Sequence, residues 1–108
     1  MKTFTIDEAN AALAIVVPKL EEIRNLYAHL GGGMVGGTPY VNTLYKVGKL
    51  TTQIGEMGVE LKDYTRGLID FPCLRDGRTI YLCWQIGDGD EIEWWHETDG
   101  GFAGRSRL

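Results

Sequence analysis

The sequence predicts an α+β fold in which an antiparallel two-helix hairpin packs on a roughly four-stranded antiparallel β-meander. Three observations carry this. Apolar residues recur with helical spacing as far as Met57, short branched and aromatic runs take over from Val59, and Gly, Pro and Asp punctuate those runs. At 108 residues the chain has the size of one domain. It divides into a helical hairpin over 5–57, a sheet half over 58–97 and a C-terminal tail over 98–108.

Thr5 followed by Glu8 forms a capping box, so a helix should start near Ile6. Ala9, Leu13, Val16, Leu20, Ile23, Tyr27 and Leu30 then draw one apolar stripe along a helix of about 25 residues. Pro18 lies inside that stripe, and its missing amide frees the Ala14 carbonyl, so a kink or a shifted helix start is expected. Gly31, Gly32, Gly33, Gly36 and Gly37 end the helix in a flexible turn. They do not form a phosphate-cradling loop, because no strand precedes them and no Gly-Lys-Ser/Thr run follows. After Pro39, Tyr40, Leu44, Val47, Leu50, Ile54 and Met57 restore helical spacing, and Gly58 is a natural C-terminal cap. Gly48 and Gly55 share nearly one face of this helix, where another backbone could approach closely.

Val59–Asp63, Leu68–Phe71, Arg78–Gln85 and Glu91–His96 read as strands, with turns at Tyr64–Gly67, Arg75–Gly77 and Gly87–Asp90. Ile80-Tyr-Leu-Cys-Trp84 is apolar on both alternating faces, and Trp94 and Trp95 must point in opposite directions. The hairpin covers one face only. Either the tail folds over the other or a second subunit does, and a symmetric homodimer is the simplest such assembly.

The 44% hydrophobic and 24% charged composition and the formal net charge of −4 describe an ordinary globular protein with no general positive field. Nucleic acid is therefore not an expected partner. Neither a signal-peptide succession nor an apolar run near the roughly 18 residues of a membrane span occurs, and the expected location is the cytoplasm. Cys73 and Cys83, ten positions apart, fit neither a close zinc pair nor a disulfide framework and are expected to be reduced, packed thiols.

Taken in order, Phe4-Thr-Ile-Asp-Glu-Ala-Asn10, Gly58-Val-Glu-Leu-Lys-Asp63, Gly67-Leu-Ile-Asp-Phe-Pro72, Arg75-Asp-Gly-Arg78, Leu82-Cys-Trp84, Trp95-His96 and Gly101-Phe-Ala-Gly-Arg105 resemble the bacterial domain-of-unknown-function family 2203. The resemblance runs nearly end to end and implies a compact bacterial domain. It implies no activity.

Ionisable groups embedded among the aromatic strands are the candidate site, because a buried charge needs a partner. Asp70, between Ile69 and Phe71, is either a metal ligand or general base, or the partner of Arg78 or Arg105 in a structural ion pair. His96 follows Trp94-Trp95, and with Glu60 and Asp70 it would offer one imidazole and two carboxylates to zinc, iron or manganese. Arg78 and Arg105, together with Tyr81, are the candidate ligand-binding residues for a small anion. His29 is more simply a favourable partner for the end of the first helix. No nucleophile motif, dinucleotide fingerprint or His-Glu-x-x-His helix is present. The leading functional reading is thus a homodimeric interaction or ligand-binding module. A metal-binding protein or small metal-dependent hydrolase, and an anion binder, are the alternatives.

Overall fold

Thr5 and Glu8 close the capping box reciprocally: the Thr5 N–H donates to Glu8 Oε1 at 2.8 Å and the Glu8 N–H to Thr5 Oγ1 at 3.1 Å. Helix α1 (Ile6–Gly31) follows and is continuous through Pro18, so its start is not shifted. The computed structural model describes residues 2–31 and 37–108, and the expected glycine turn falls largely on residues 32–36, outside them. Helix α2 (Gly37–Glu56) begins two residues before Pro39, which sits in its first turn where a missing amide costs nothing. Gly58 ends it with φ 90° and an N–H donated to the Gly55 carbonyl at 2.9 Å.

Five strands follow: β1 (Glu60–Asp63), β2 (Leu68–Arg75), β3 (Arg78–Gln85), β4 (Trp94–Glu97) and β5 (Ser106–Arg107). They form one antiparallel sheet in the order β1-β2-β3-β4-β5, a meander with one short strand more than expected. β2 runs four residues past Phe71. Pro72 does not stop it because the Pro72 carbonyl accepts the Phe4 N–H at 2.7 Å on the side away from β3. Carbonyl and amide of one residue share a side, so its missing N–H removes no bond to β3. β4 is shorter than Glu91–His96, since Glu91, Ile92 and Glu93 lie before the paired residues.

The core lies between the hairpin and one sheet face. Ala9, Leu13, Val16, Leu20 and Ile23 of α1 and Val47 and Ile54 of α2 meet Ile69, Phe71, Leu82 and Trp84. Not every member of the expected stripes joins it: Tyr27 is 42% and Leu44 44% exposed. The physical reason is length. A helix of 26 residues spans about 39 Å, whereas the longest strands have eight residues and span about 27 Å, so one end of the hairpin overhangs the sheet. Gly48 and Gly55 are corrected as well, because among the described residues a Cβ at either would meet nothing within 4 Å.

The outer sheet face is covered from within the chain. After Glu97 the tail turns back through the short 3-10 helix Phe102–Gly104, and the Arg105 guanidinium lies over the rings of Trp94 (4.4 Å) and Phe102 (4.5 Å). Arg105 also donates to Asp88 at 2.9 and 3.4 Å, in a pair whose side chains are only 13% and 11% exposed. Of the two covers considered for this face, the tail is therefore one the fold supplies, over Trp94 and His96, while Leu74 on the same face stays 63% exposed. Trp94 and Trp95 point in opposite directions as the strand alternation requires, Trp95 joining the core.

Candidate metal centre

Position along β2, β3 and β4 decides which side chains meet on the tail-covered face. The two-residue turn at Asp76 and Gly77 pairs Arg75 with Arg78, and stepping outward along both strands pairs Asp70 with Cys83. β4 then sets Tyr81 opposite His96 and Cys83 opposite Trp94. Side chains alternate along each strand, so Asp70, Cys83, Tyr81, Trp94 and His96 all stand on this face.

His96 reaches across β3 to Asp70. Its Nε2 lies 3.0 Å from both carboxylate oxygens of Asp70, and its Nδ1 lies 2.6 Å from the Glu97 carbonyl. A carbonyl can only accept, so Nδ1 carries a proton and donates it. Nε2 is thereby aimed at a carboxylate. Asp70 is 2% and His96 3% exposed, and Cys83 is fully buried. The ligand atoms of Asp70, Cys83 and His96 all lie within 4.8 Å of one another. The Tyr81 ring sits 5.4 Å from the imidazole, and a Cβ on Gly100 would come 3.7 Å from His96 Cβ, which shows how closely the tail turn covers it.

Burial dominates the electrostatics. Desolvation raises the Asp70 carboxyl above its ordinary range, although the hydrogen bond and charge of His96 pull the other way. The Cys83 thiol is pushed up to about 12 by burial and, secondarily, by the neighbouring Asp70 charge, while the Arg105 guanidinium opposes the rise. Without a metal this thiol is protonated and unreactive at neutral pH. Its chemistry depends on what else occupies the centre.

The structure brings some of the expected residues together and separates others. Asp70 and His96 share the centre, and the partner of Asp70 is this histidine rather than Arg78 or Arg105. Glu60 is the cross-strand neighbour of Asp70, but its carboxylate is held by Lys62 at 2.9 Å on the edge strand. Arg78 pairs with Glu97, and Arg105 with Asp88 beyond the opposite end of β3. Those two arginines therefore do not form one anion pocket, a correction that follows from the length of the strand between them. Cys83 completes the set although its spacing from Cys73 matches no metal motif. The signal that finds it is the Asp-Gly hairpin turn, which places residue 83 opposite residue 70.

A family model described as an uncharacterized conserved protein (DUF2203) matches residues 38–108, from the beginning of α2 to Leu108. The Phe4–Asn10 motif and the rest of α1 lie outside the matched residues. No curated protein and no solved structure matches the chain.

Proposed function

From the premise that the chain belongs to the DUF2203 family, whose description names no reaction, we propose that it is a metal-binding protein holding a single zinc ion through Asp70, Cys83 and His96. One observation carries the reading. The histidine donates Nδ1–H to a backbone carbonyl and turns Nε2 toward a carboxylate and a thiol, all buried. This is how metal-ligating histidines are oriented, with the second ring nitrogen fixed by an outer hydrogen bond. One sulfur, one nitrogen and one oxygen donor favour zinc over manganese or magnesium, which prefer oxygen-rich sets. Zinc bonds are about 2.0–2.3 Å long, so small side-chain movements close the three donors around one ion.

Burial makes the role structural. The metal would tie β2, β3 and β4 together beneath the tail and hold the cysteine as thiolate. Purified without chelator, the reduced protein is expected to contain about one zinc per chain and to lose thermal stability in EDTA. His96→Ala and Cys83→Ser are expected to lose the metal. Absence of stoichiometric metal, together with no thermal shift on adding zinc to freshly reduced protein, refutes the assignment.

A second reading, self-association, is favoured by Val41, Leu44 and Tyr45 on α2, which are 60%, 44% and 69% exposed, Leu44 and Tyr45 following Val41 by about one helical turn. Light scattering at about 50 µM decides it. A dimer that Tyr45→Glu returns to monomer supports this surface, and a monodisperse monomer removes it.

A further inference from the structure

The Arg75-Asp-Gly-Arg78 hairpin has no part in the metal centre, which lies on the opposite face of the sheet. Its turn is of type I′, with Asp76 at φ 51° and Gly77 at φ 79°, and it sets Arg75 directly opposite Arg78. By strand alternation both side chains leave the sheet on the side of Cys73 and Ile80. Two cations facing each other across a strand pair repel, so the arrangement is unfavourable by itself. Arg78 shares the exposed Glu97 carboxylate, whereas Arg75 has no carboxylate partner among the described residues. Beside them a cavity of about 350 Å³ is lined by both arginines and the Asp76 of their turn, by Ile80 and Trp95, and by Arg107 and Leu108. Trp95 is half-buried, packed on the core on one side.

We propose that this cavity binds a small aromatic phosphomonoester. The phosphate would lie between Arg75 and Arg78, whose planar guanidinium groups suit the oxygens of a dianion and whose mutual repulsion the dianion would relieve. The aromatic group would rest on the accessible part of Trp95, with the buried Ile80 behind it. The volume lies near the lower end of small-molecule sites, about 300–1,000 Å³, and accommodates one ring system rather than an extended polymer. The site does not depend on the metal reading, since it shares no side chain with Asp70, Cys83 or His96.

Phenyl phosphate is the probe, followed through the Trp95 indole N–H resonance in ¹H–¹⁵N spectra of the full chain. A saturable shift with a Kd below about 1 mM is expected, weaker by at least about tenfold for inorganic phosphate, which lacks the ring. Phenol should bind more weakly still. Arg75→Ala should weaken binding about tenfold or more with the remaining spectrum unchanged, because this exposed side chain contributes nothing to the core. Arg75→Lys, which keeps the charge without the planar fork, should fall between. Three results overturn the proposal: no saturable shift up to about 10 mM, inorganic phosphate binding as tightly as the aromatic ester, or Arg75→Ala binding unchanged.

Discussion

Replacing His96 with alanine tests the buried centre directly. In the parent chain the Asp70 carboxylate, 2% exposed, meets His96 Nε2 with both of its oxygens at 3.0 Å. The substitution leaves that carboxylate in the protein interior without its donor, and breaking a buried pair from one side costs about 3–5 kcal/mol. For a domain of this size the loss lowers the melting temperature by about 15–25 °C. Asp70→Ala should cost less, about 1–3 kcal/mol, because it removes the buried carboxylate itself and leaves the imidazole its bond to the Glu97 carbonyl. The double variant should cost less than the sum, since nothing charged remains to be paired.

The pH dependence of His96→Ala has a definite sign. Burial already raises the Asp70 carboxyl, with His96 opposing the rise. Without His96 the opposing influence is gone and the folded-state value climbs further. A carboxyl whose folded value exceeds its unfolded one contributes stability below the unfolded value, about pH 4, and loses it as pH rises through the folded value. The deficit of the variant relative to the parent should therefore be smallest near about pH 4–5 and widest at neutrality. Urea unfolding followed by tryptophan fluorescence, in EDTA and reductant so that bound metal does not contribute, measures both quantities. A cost under about 1 kcal/mol at neutral pH, or one that grows as pH falls, refutes the buried pair.

Other substitutions probe the elements that build the site. Gly48→Ala, within α2 and facing open space, should stabilise the protein by about 0.5–1 kcal/mol, seen as a higher urea midpoint with unchanged slope. Gly67→Ala should do the reverse, by about 2 kcal/mol or more, because Gly67 has φ 63° and a Cβ there would run into the Ile86 side chain. Differential scanning calorimetry distinguishes the two signs. Arg105→Ala breaks the Asp88 pair and the stacking on Trp94, so the tail should loosen at a cost of about 1–3 kcal/mol. Limited proteolysis should then cleave the chain within 98–108 faster than in the parent, while unchanged protection contradicts the tail's role as a cover.

Much of the architecture is legible in residue spacing because it depends on short-range physics. The Thr5–Glu8 box, the α1 stripe through Ile23, the Gly58 cap and the Asp76–Gly77 turn are each set by residues at most a few positions apart. That turn even carries one long-range consequence, the pairing of Asp70 with Cys83. The outward Tyr27 and Leu44, and the open space at Gly48, are not legible in this way, because they depend on where the sheet ends beneath the helices.

The candidate centre divides along the same line. Composition and alternation single out Asp70 and His96 as polar groups on aromatic strands that require partners. Which partners they find depends on tertiary structure: His96 for Asp70, Glu97 for Arg78, Asp88 for Arg105 and Lys62 for Glu60. The sequence by itself determined the two helices, the first four strands to within a few residues and the turn at Asp76–Gly77, whose causes lie within one or two turns of chain. The turn sets Cys83 opposite Asp70, but the folded chain alone decided that His96 meets both and that the tail closes over them, because that depends on a third strand and a returning segment arriving at one place in space.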